Sequence, residues 1–558
     1  MSGPSDLLRR HARPLVLALD LSRPVIDAPG APPLARLRAS RSADLREVVV
    51  ALDEAAHDPR IAAVVAKVDA PAASWAHAQE LHAAVRRFRA QGKPALAHAQ
   101  SFSEAGAATL AYLVASAFDE VALQPTGELA ATGVAVIQPF LRGLLDHLEV
   151  DPQLEHRHEY KTARNLFTER GFTEAHREVS ERIVEQLHTQ LVDAVVDSRG
   201  LPADRVRELI DRAPLSAPEA LEHGLVDRLA YRDETVVEVL ERAGEGATLV
   251  TLSRYRTRLE QRRRRQLRRP TVALIPGAGG IQVGRGRDGV LRPVMGADTL
   301  AIAFHQARTD PKIKAVVFRV ESPGGSAVAS DAIWRSIQRT REAGTPVVVS
   351  MGAVAGSGGY WVALGADRII ASAGTLTGSI GVVYGKLVVR GFGERLGITT
   401  DEAHRGANAL LASSTEPYTD AQREQVAGFL DHVYDAFLTR VADTRPLSRD
   451  QVAEVARGRV WTGDDALDRG LIDELGGYHE AFVAARKLAG IAPDRALKVR
   501  VLPRLPLPER FGLKEVDDGE LRTVLGEAGA LLRAVGGGAG VRAEVPDVAA
   551  RLGRHRQG

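Results

Sequence analysis

An internal repeat constrains the fold of this chain more than any other feature of its sequence. The segment DPRIAAVVAKV at 58–68 matches DPKIKAVVFRV at 310–320, and ALEHGLVD at 220–227 matches ALDRGLID at 466–473. The matching segments follow the same order along the chain, and similarity at one nearly constant offset is typical of a duplicated structural unit. We therefore predict a tandem repeat of one domain of about 220 residues.

Within each repeat, short apolar runs rich in β-branched residues alternate with amphipathic stretches. In the second repeat they predict strands at 271–275, 315–320, 347–351 and 368–371, and helices at 298–307 and 330–342. Two further helices are expected at 417–444 and 449–457, with Thr419 and Ser448 as N-terminal caps. Strands that alternate with helices pair in parallel, so the predicted fold class is α/β.

The composition excludes several classes of function. The chain has 73 basic and 71 acidic residues, and a net charge of +2 gives no general reason to expect nucleic-acid binding. It has no cysteine, which excludes disulfide frameworks, thiolate zinc sites and cysteine nucleophiles. The longest apolar run near the N-terminus, Leu15 to Leu19, is too short for a signal peptide or a membrane span. We expect a cytoplasmic or peripherally membrane-associated protein.

Four segments follow from these patterns. We expect the first repeat at 1–250, an arginine-rich linker at 251–269, the second repeat at 270–494 and a C-terminal tail with prolines and glycines at 495–558. The linker has nine arginines. A solvated helix is the favoured interpretation, and a patch for an anionic membrane or nucleic acid is the alternative. The tail is interpreted as partly disordered.

Three glycine-rich segments of the second repeat have no equal in the first. The segment SPGGS at 322–326 follows a predicted strand, and its glycines allow the backbone to turn N–H groups toward a ligand. It is either an oxyanion site or a tight strand-to-helix turn. The segment LTGSIG at 376–381 contains Ser379, a hydroxyl between glycines that is suited to orienting a neighbouring group.

Ser357 lies in the third segment, AGSGGYW, between a predicted strand and an apolar helix. A sharp turn at this place exposes a hydroxyl, and the N–H of Gly358 is available for an oxyanion. The following helix adds its positive end. Ser357 is therefore a candidate nucleophile, and the alternative is a structural serine that caps the helix.

A serine nucleophile needs a base. No histidine occurs between His305 and His404, so a local Ser–His pair is excluded around Ser357. A lysine can act as a base when burial lowers its pKa, and an arginine cannot. Only nine of the 73 basic residues are lysines. Lys386, which is close in sequence to the glycine segments, and Lys161 in the first repeat are the candidates.

The combination of SPGGS, AGSGGYW, LTGSIG and the segment YKTA at 160–163 resembles the signal peptide peptidase SppA (protease IV) family in its double-length, tandem-repeat form. The resemblance covers roughly residues 14–490 and is stronger in the second repeat. It implies an α/β fold related to the Clp protease subunit and to crotonases. Its implied activity is that of a Ser/Lys endopeptidase that degrades signal peptides or other short peptides, without a cofactor or metal.

The resemblance also implies the roles of individual residues. Ser357 matches the nucleophile and Lys161 the general base. By relation to the Clp protease subunit, Gly325 and Gly358 would donate the oxyanion N–H groups, and Ser379 would hold the lysine. Many long-form members of the family begin with a membrane anchor. Because we find none here, we expect peripheral membrane contact at most, or soluble peptides as substrates.

The duplication separates the two halves of this dyad. At an offset of 248 residues, Ser357 corresponds to Thr109 and Lys161 to Ala409, so each repeat keeps one half. We expect a homo-oligomer, a tetramer as in the long-form family, with the dyad formed within one chain or between chains. Two other functions stay open: a crotonase-like acyl-CoA enzyme, and a catalytically silent scaffold that binds peptides.

Overall fold

Each repeat folds around a parallel β-sheet. The structure is a computed structural model that describes residues 13–23, 25–27, 43–70, 72–103, 108–264, 269–286, 293–493 and 495–504. The strands of the first repeat are β1 (Leu15–Asp20), β2 (Ile61–Lys67), β3 (Ala95–Ala99), β4 (Glu120–Leu123), β5 (Glu128–Leu129), β6 (Asp151–His156), β7 (Leu215–Ser216), β8 (Arg228–Leu229) and β9 (Thr248–Thr251). Its helices are α1 (Leu45–His57), α2 (Trp75–Arg89), α3 (Ala108–Ala115), α4 (Arg142–His147), α5 (Asn165–Thr168), α6 (Glu174–Arg199), α7 (Ala203–Arg212), α8 (Ala217–Glu222) and α9 (Arg232–Ala243), with a 3₁₀ turn at Thr162–Arg164.

Helix α10 (Leu252–Arg264) connects the first repeat to the second. The strands of the second repeat are β10 (Thr271–Ala278), β11 (Gly280–Gln282), β12 (Val294–Gly296), β13 (Ile313–Ser322), β14 (Val347–Gly356), β15 (Arg368–Ala371), β16 (Leu376–Gly378), β17 (Val383–Val388), β18 (Val460–Trp461), β19 (Glu474–Leu475) and β20 (Lys498–Val501). Its helices are α11 (Ala297–Thr309), α12 (Ala327–Glu342), α13 (Gly358–Ala363), α14 (Arg390–Arg395), α15 (Asp420–Thr444), α16 (Arg449–Val455), α17 (Gly463–Asp468) and α18 (Tyr478–Leu488).

The two sheets have the same strand order. The first runs β8-β4-β3-β2-β1-β9 and the second β19-β15-β14-β13-β10-β20, with all of these pairs parallel. A small antiparallel pair accompanies each sheet, β5 with β7 in the first repeat and β16 with β18 in the second. The predicted tandem repeat and α/β class are therefore confirmed.

Both faces of the second sheet are buried, which explains the apolar runs of its strands. Successive side chains of a strand point to opposite faces. On β10, Val272 and Leu274 join a cluster shared with the first repeat, while Ala273 and Ile275 join the cluster beneath α11, α12 and α15. The shared cluster joins the two repeats through a common core.

The predicted elements of the second repeat are present: five are longer than expected, the strand at 368–371 has the expected bounds, and the helices expected at 417–444 and 449–457 are shorter, at Asp420–Thr444 and Arg449–Val455. The strands expected at 271–275, 315–320 and 347–351 are β10, β13 and β14, and the helices expected at 298–307 and 330–342 are α11 and α12. Helices α15 and α16 begin after Thr419 and Ser448, whose side chains accept the N–H groups of Gln422 and Gln451. Both residues are therefore N-terminal caps, as predicted.

The arginine-rich segment forms helix α10, which packs on the first repeat. Tyr255 and Leu259 are buried in the core of that repeat. Arg256 pairs with Glu47, and Arg263 pairs with Glu54. One face of the helix is therefore buried and partly neutralised.

The segment boundaries drawn from the sequence stay a prediction. Strand β9 pairs with β1, and β20 pairs with β10, so each sheet carries an edge strand near a predicted boundary. Residues 505–558, most of the predicted tail, lie outside the described residues, as do residues 1–12 at the N-terminus. Within the described ranges, no helix has the length and apolar character to cross a membrane.

Candidate active site

A two-stranded antiparallel ribbon joins the repeats next to the glycine-rich segments. Strand β6 of the first repeat pairs with β17 of the second, from Asp151 opposite Val388 to His156 opposite Val383. Lys161 follows β6 by five residues, and Ser379 precedes β17 by four. The ribbon therefore carries a lysine of one repeat to the glycine segments of the other.

Ser357 occupies the sharp turn between β14 and α13. Its backbone lies at φ 53° and ψ −120°, in the positive-φ region that a residue with a side chain rarely adopts. Its N–H donates to the carbonyl of Gly378 at 2.9 Å, and its own carbonyl accepts the N–H groups of Tyr360 and Trp361. The hydroxyl makes no capping hydrogen bond to the helix. The capping alternative therefore does not describe this serine.

Lys161 is buried against two serines. Its Nζ lies 3.1 Å from Ser357 Oγ and donates to Ser379 Oγ at 2.9 Å and to the Ser379 carbonyl at 3.0 Å. The residue is 5% exposed. Desolvation by burial lowers the pKa of Lys161 to about 7, because the charged ammonium loses its hydration. Near neutral pH a large share of this amine is therefore unprotonated.

Two glycines make room for Lys161. A Cβ on Gly458, at φ 83°, would lie 2.7 Å from the Cβ of Lys161, and one on Gly381 would lie 3.3 Å from its Cδ. Gly381 belongs to the LTGSIG segment, whereas the sequence analysis missed Gly458. Its sequence signal is a single glycine between two arginines, which by itself indicates no chemistry.

A polar network that no sequence motif indicates lies next to Lys161. Tyr160 donates its hydroxyl to Glu178 at 2.7 Å, and Arg459 donates to the other carboxylate oxygen of Glu178 at 2.6 Å. The Arg459 guanidinium lies over the Tyr160 ring, and the backbone carbonyl of Arg459 accepts the N–H of Ser379 at 2.7 Å. The network therefore connects Tyr160, which precedes Lys161 in the chain, with Ser379, which contacts Lys161. It crosses the boundary between the repeats.

The SPGGS segment lies directly against Ser357. A Cβ on Gly324, at φ 104°, would be 2.8 Å from the Cβ of Ser357 and 2.7 Å from the nitrogen of Gly358. A Cβ on Gly358 would be 3.2 Å from the nitrogen of Gly325. Gly358 is the first residue of α13, where a backbone N–H has no partner within the helix. The nitrogens of Gly325 and Gly358 thus lie close together beside Ser357, as an anion site requires.

Of the two candidate lysines, Lys161 lies beside Ser357 and Lys386 does not. Lys386 lies on β17, donates to the carbonyl of Leu411 at 3.1 Å and lies over the ring of Tyr418. It is therefore engaged away from Ser357. At the position corresponding to Ser357 in the first repeat, Thr109 donates its hydroxyl to the carbonyl of Gly133. Ala409, which corresponds to Lys161, is exposed.

Comparisons with known proteins agree with this architecture. A model of peptidase family S49 matches residues 87–245 and 339–492, one region in each repeat. Protease 4 of Haemophilus influenzae is 30% identical over 476 residues, covering 81% of this chain and 74% of the relative. Protease 4 of Salmonella typhi is 31% identical over 502 residues, covering 85% and 78%. The solved structure of ClpP1 from Listeria monocytogenes aligns with 40% of this chain and 98% of its own, at 14% identity and a TM-score of 0.23.

The family match spans more than half of the chain and falls on both repeats. The two bacterial relatives each align over more than two thirds of their own length. The chain therefore belongs to peptidase family S49, a family of serine peptidases.

Proposed function

We propose that the protein is an endopeptidase in which Ser357 is the nucleophile and Lys161 the general base. The observation that carries this proposal is the 3.1 Å separation of Lys161 Nζ and Ser357 Oγ, with the amine buried and its pKa lowered to about 7. The SppA resemblance favours signal peptides or other short peptides as substrates.

The contacts of Lys161 suit a neutral amine. Such an amine has two N–H donors and one lone pair. The donors go to the hydroxyl and carbonyl oxygens of Ser379, which leaves the lone pair for the hydroxyl of Ser357. Ser379 would therefore act as a positioning residue that aims the lone pair at the nucleophile.

The reaction would proceed in two stages, acylation of Ser357 and hydrolysis of the acyl-enzyme. Lys161 takes the proton of Ser357 as Oγ forms a bond to the scissile carbonyl carbon, and the oxyanion is held by the N–H groups of Gly325 and Gly358. Lys161 then returns the proton to the departing amine when the C–N bond breaks, which leaves an acyl-enzyme. The same amine then deprotonates a water as its oxygen bonds to the acyl carbon, and it gives that proton to Oγ as the ester C–O bond breaks, which releases the acid and regenerates Ser357.

The two other candidate functions do not explain the arrangement of residues at this site. A crotonase-like enzyme would need the paired backbone N–H groups but no serine held in a positive-φ turn beside a buried lysine. A silent scaffold would need neither, and it would carry the cost of desolvating Lys161 for no gain. These contacts favour the peptidase.

The assembly and location follow as further proposals. We expect a homo-oligomer, a tetramer as in the double-length family that the chain resembles, with peptides as its substrates. Any contact with an anionic membrane would use α10, where Arg262 is more than half exposed and only loosely paired with Asp58 at 3.4 Å. Liposome flotation at low and high salt, with light scattering, tests both.

A fluorophosphonate probe tests the nucleophile. The full-length protein should be labelled once, and mass spectrometry should place the adduct on Ser357. Ser357→Ala should abolish labelling, whereas Ser336→Ala, which removes a partly exposed hydroxyl of α12 that donates to the Ala332 carbonyl, should leave it unchanged. Labelling at another residue, or none with the folded wild type, would contradict the assignment.

A further inference from the structure

A buried cluster of charged side chains lies between the repeats, apart from the Ser357 site. Asp27, which follows β1, and His77 and Glu80 of α2 come from the first repeat. His77 and Glu80 are one helical turn apart and share a face. Arg319 and Glu321 of β13 come from the second repeat and share a face of the strand.

The acidic groups of this cluster outnumber the basic ones. Arg319, 2% exposed, donates to Asp27 at 2.6 Å and to Glu80 at 2.6 Å. Glu321 has no such partner and accepts the backbone N–H of Ala353. One guanidinium therefore balances only one of three carboxylates.

His77 points into the same cluster. Its side chain is 8% exposed, and its Nε2 lies 3.8 Å from Asp27 Oδ2, which is too far for a hydrogen bond. Neither ring nitrogen has a hydrogen-bond partner among the described residues. A neutral imidazole has a lone pair on one ring nitrogen, and here no described residue uses it. A buried imidazole without a partner is costly unless a ligand satisfies it.

We propose that Asp27, His77 and Glu321 bind a divalent transition-metal ion that links the two repeats. One ligand atom from each residue lies within 4.8 Å of the other two, so small side-chain movements bring all three to metal–ligand distance. One imidazole nitrogen and two carboxylate oxygens suit Zn²⁺ or Mn²⁺ better than Ca²⁺, which prefers oxygen alone.

A bound ion would compensate the two unfavourable features of the cluster, its excess of carboxylates and its unpartnered imidazole. It would neutralise the excess carboxylate charge and give the imidazole a partner. Its ligands come from both repeats, and Glu321 immediately precedes the SPGGS segment at the end of β13. Metal binding should therefore stabilise the junction of the repeats, since a ligand that binds only the folded state raises stability.

The test is calorimetric titration of the chelator-treated, full-length Ser357→Ala protein with Mn²⁺ and, separately, with Zn²⁺. We expect one equivalent of metal to bind and to raise the melting temperature. Glu321→Gln, which keeps the shape of the side chain, and His77→Gln should each weaken this binding at least tenfold. Circular dichroism checks that both variants fold.

His82→Gln is the matched control. His82 lies on the same helix, and its Nε2 is also buried without a partner among the described residues, but the charged groups that act on it are Arg86, Arg89 and the single carboxylate of Asp197. This variant should bind metal as the parent does. Equal binding by the Glu321→Gln and His77→Gln variants would place the ion elsewhere and overturn the proposal. So would the absence of binding to the parent at about 1 mM metal, which would leave a proton on Glu321 as the compensating charge.

Discussion

Lys161 and Ser357 are 196 residues apart in the chain, yet the amine nitrogen of one lies 3.1 Å from the hydroxyl oxygen of the other. Each belongs to a different repeat, and the β6–β17 ribbon is the element that joins them. Neither repeat has both groups at corresponding positions, because Thr109 and Ala409 replace them. The proposed catalytic site therefore exists only when the two repeats pack together.

Ser357→Ala should reduce kcat by about 10⁴-fold or more, because the variant cannot form an acyl-enzyme. The fold should persist, since the hydroxyl makes no capping bond to α13. Cleavage of a fluorogenic peptide measures the loss. Thr109→Ala, the same type of change at the corresponding position of the first repeat, should keep wild-type activity. Substantial turnover by Ser357→Ala would contradict the assignment of the nucleophile.

Lys161→Arg should be almost as inactive as Lys161→Ala, because a guanidinium keeps its charge and cannot accept a proton near neutral pH. Lys386→Arg is the control, since Lys386 contacts the Leu411 carbonyl and not Ser357. It should retain most of the activity in the same peptide assay. If Lys386→Arg were inactive and the Lys161 variants active, Lys386 would instead be supported as the base of Ser357.

The pH profile should reflect the lowered pKa of Lys161. The base must be neutral, and burial lowers its pKa from 10.5 to about 7. With chemistry rate-limiting, kcat/KM should rise about tenfold per pH unit below that pKa and level off above it. A profile that is flat between about pH 5 and 10 would argue against a lysine base.

The same pKa shift gives a stability prediction. The unfolded lysine binds its proton up to about pH 10.4, whereas the buried one has released it above about pH 7. The folded state therefore gains stability from this group as pH rises between these values. Lys161→Met, which removes the titration, should flatten that rise in urea unfolding measured from pH 7 to 10. An unchanged slope would show that Lys161 is not the cause.

Arg459 should act as a positioning residue. Its side chain joins Glu178 and Tyr160, and its carbonyl holds the N–H of Ser379. We expect Arg459→Ala to lower kcat about tenfold with little change in KM, and to move the midpoint of the pH profile. Arg449→Ala is the control, because its ion pair with Asp435 is largely exposed and such pairs contribute little. Equal effects of both changes would indicate only a general loss of positive charge.

Gly458→Ala should impair activity by displacing Lys161, since the new Cβ would lie 2.7 Å from the Cβ of Lys161. Gly470→Ala separates this contact from backbone strain. Gly470 has a similar positive φ of 69°, but a Cβ there would meet nothing closer than 3.6 Å. Gly470→Ala should lose about 1 kcal/mol of stability from backbone strain, and Gly458→Ala should lose more because of the added contact. Only Gly458→Ala should also lose peptidase activity, and comparable losses in both would contradict a specific contact with the lysine.

Much of this architecture could be predicted from the sequence because the signals are local. A strand, a turn and a helix follow one another around Ser357, and glycines on both sides mark the turn. The repeat at 58–68 and 310–320 predicts that two sheets share one strand order, since a duplicated chain meets the same packing requirements twice. The caps at Thr419 and Ser448 likewise depend on side chains only three residues apart.

The repeat, the α/β class, the serine turn and a short list of candidate lysines therefore followed from the sequence alone. Composition and spacing left Lys161 and Lys386 as alternatives, because they do not say which distant segments pair, and only the resemblance to the SppA family favoured Lys161. In the folded chain β6 and β17 bring Lys161 beside Ser357, and packing of the two repeats places Gly458 against Lys161 and Glu321 near His77. Such contacts depend on how two buried surfaces meet, and no periodic pattern along a chain records that geometry.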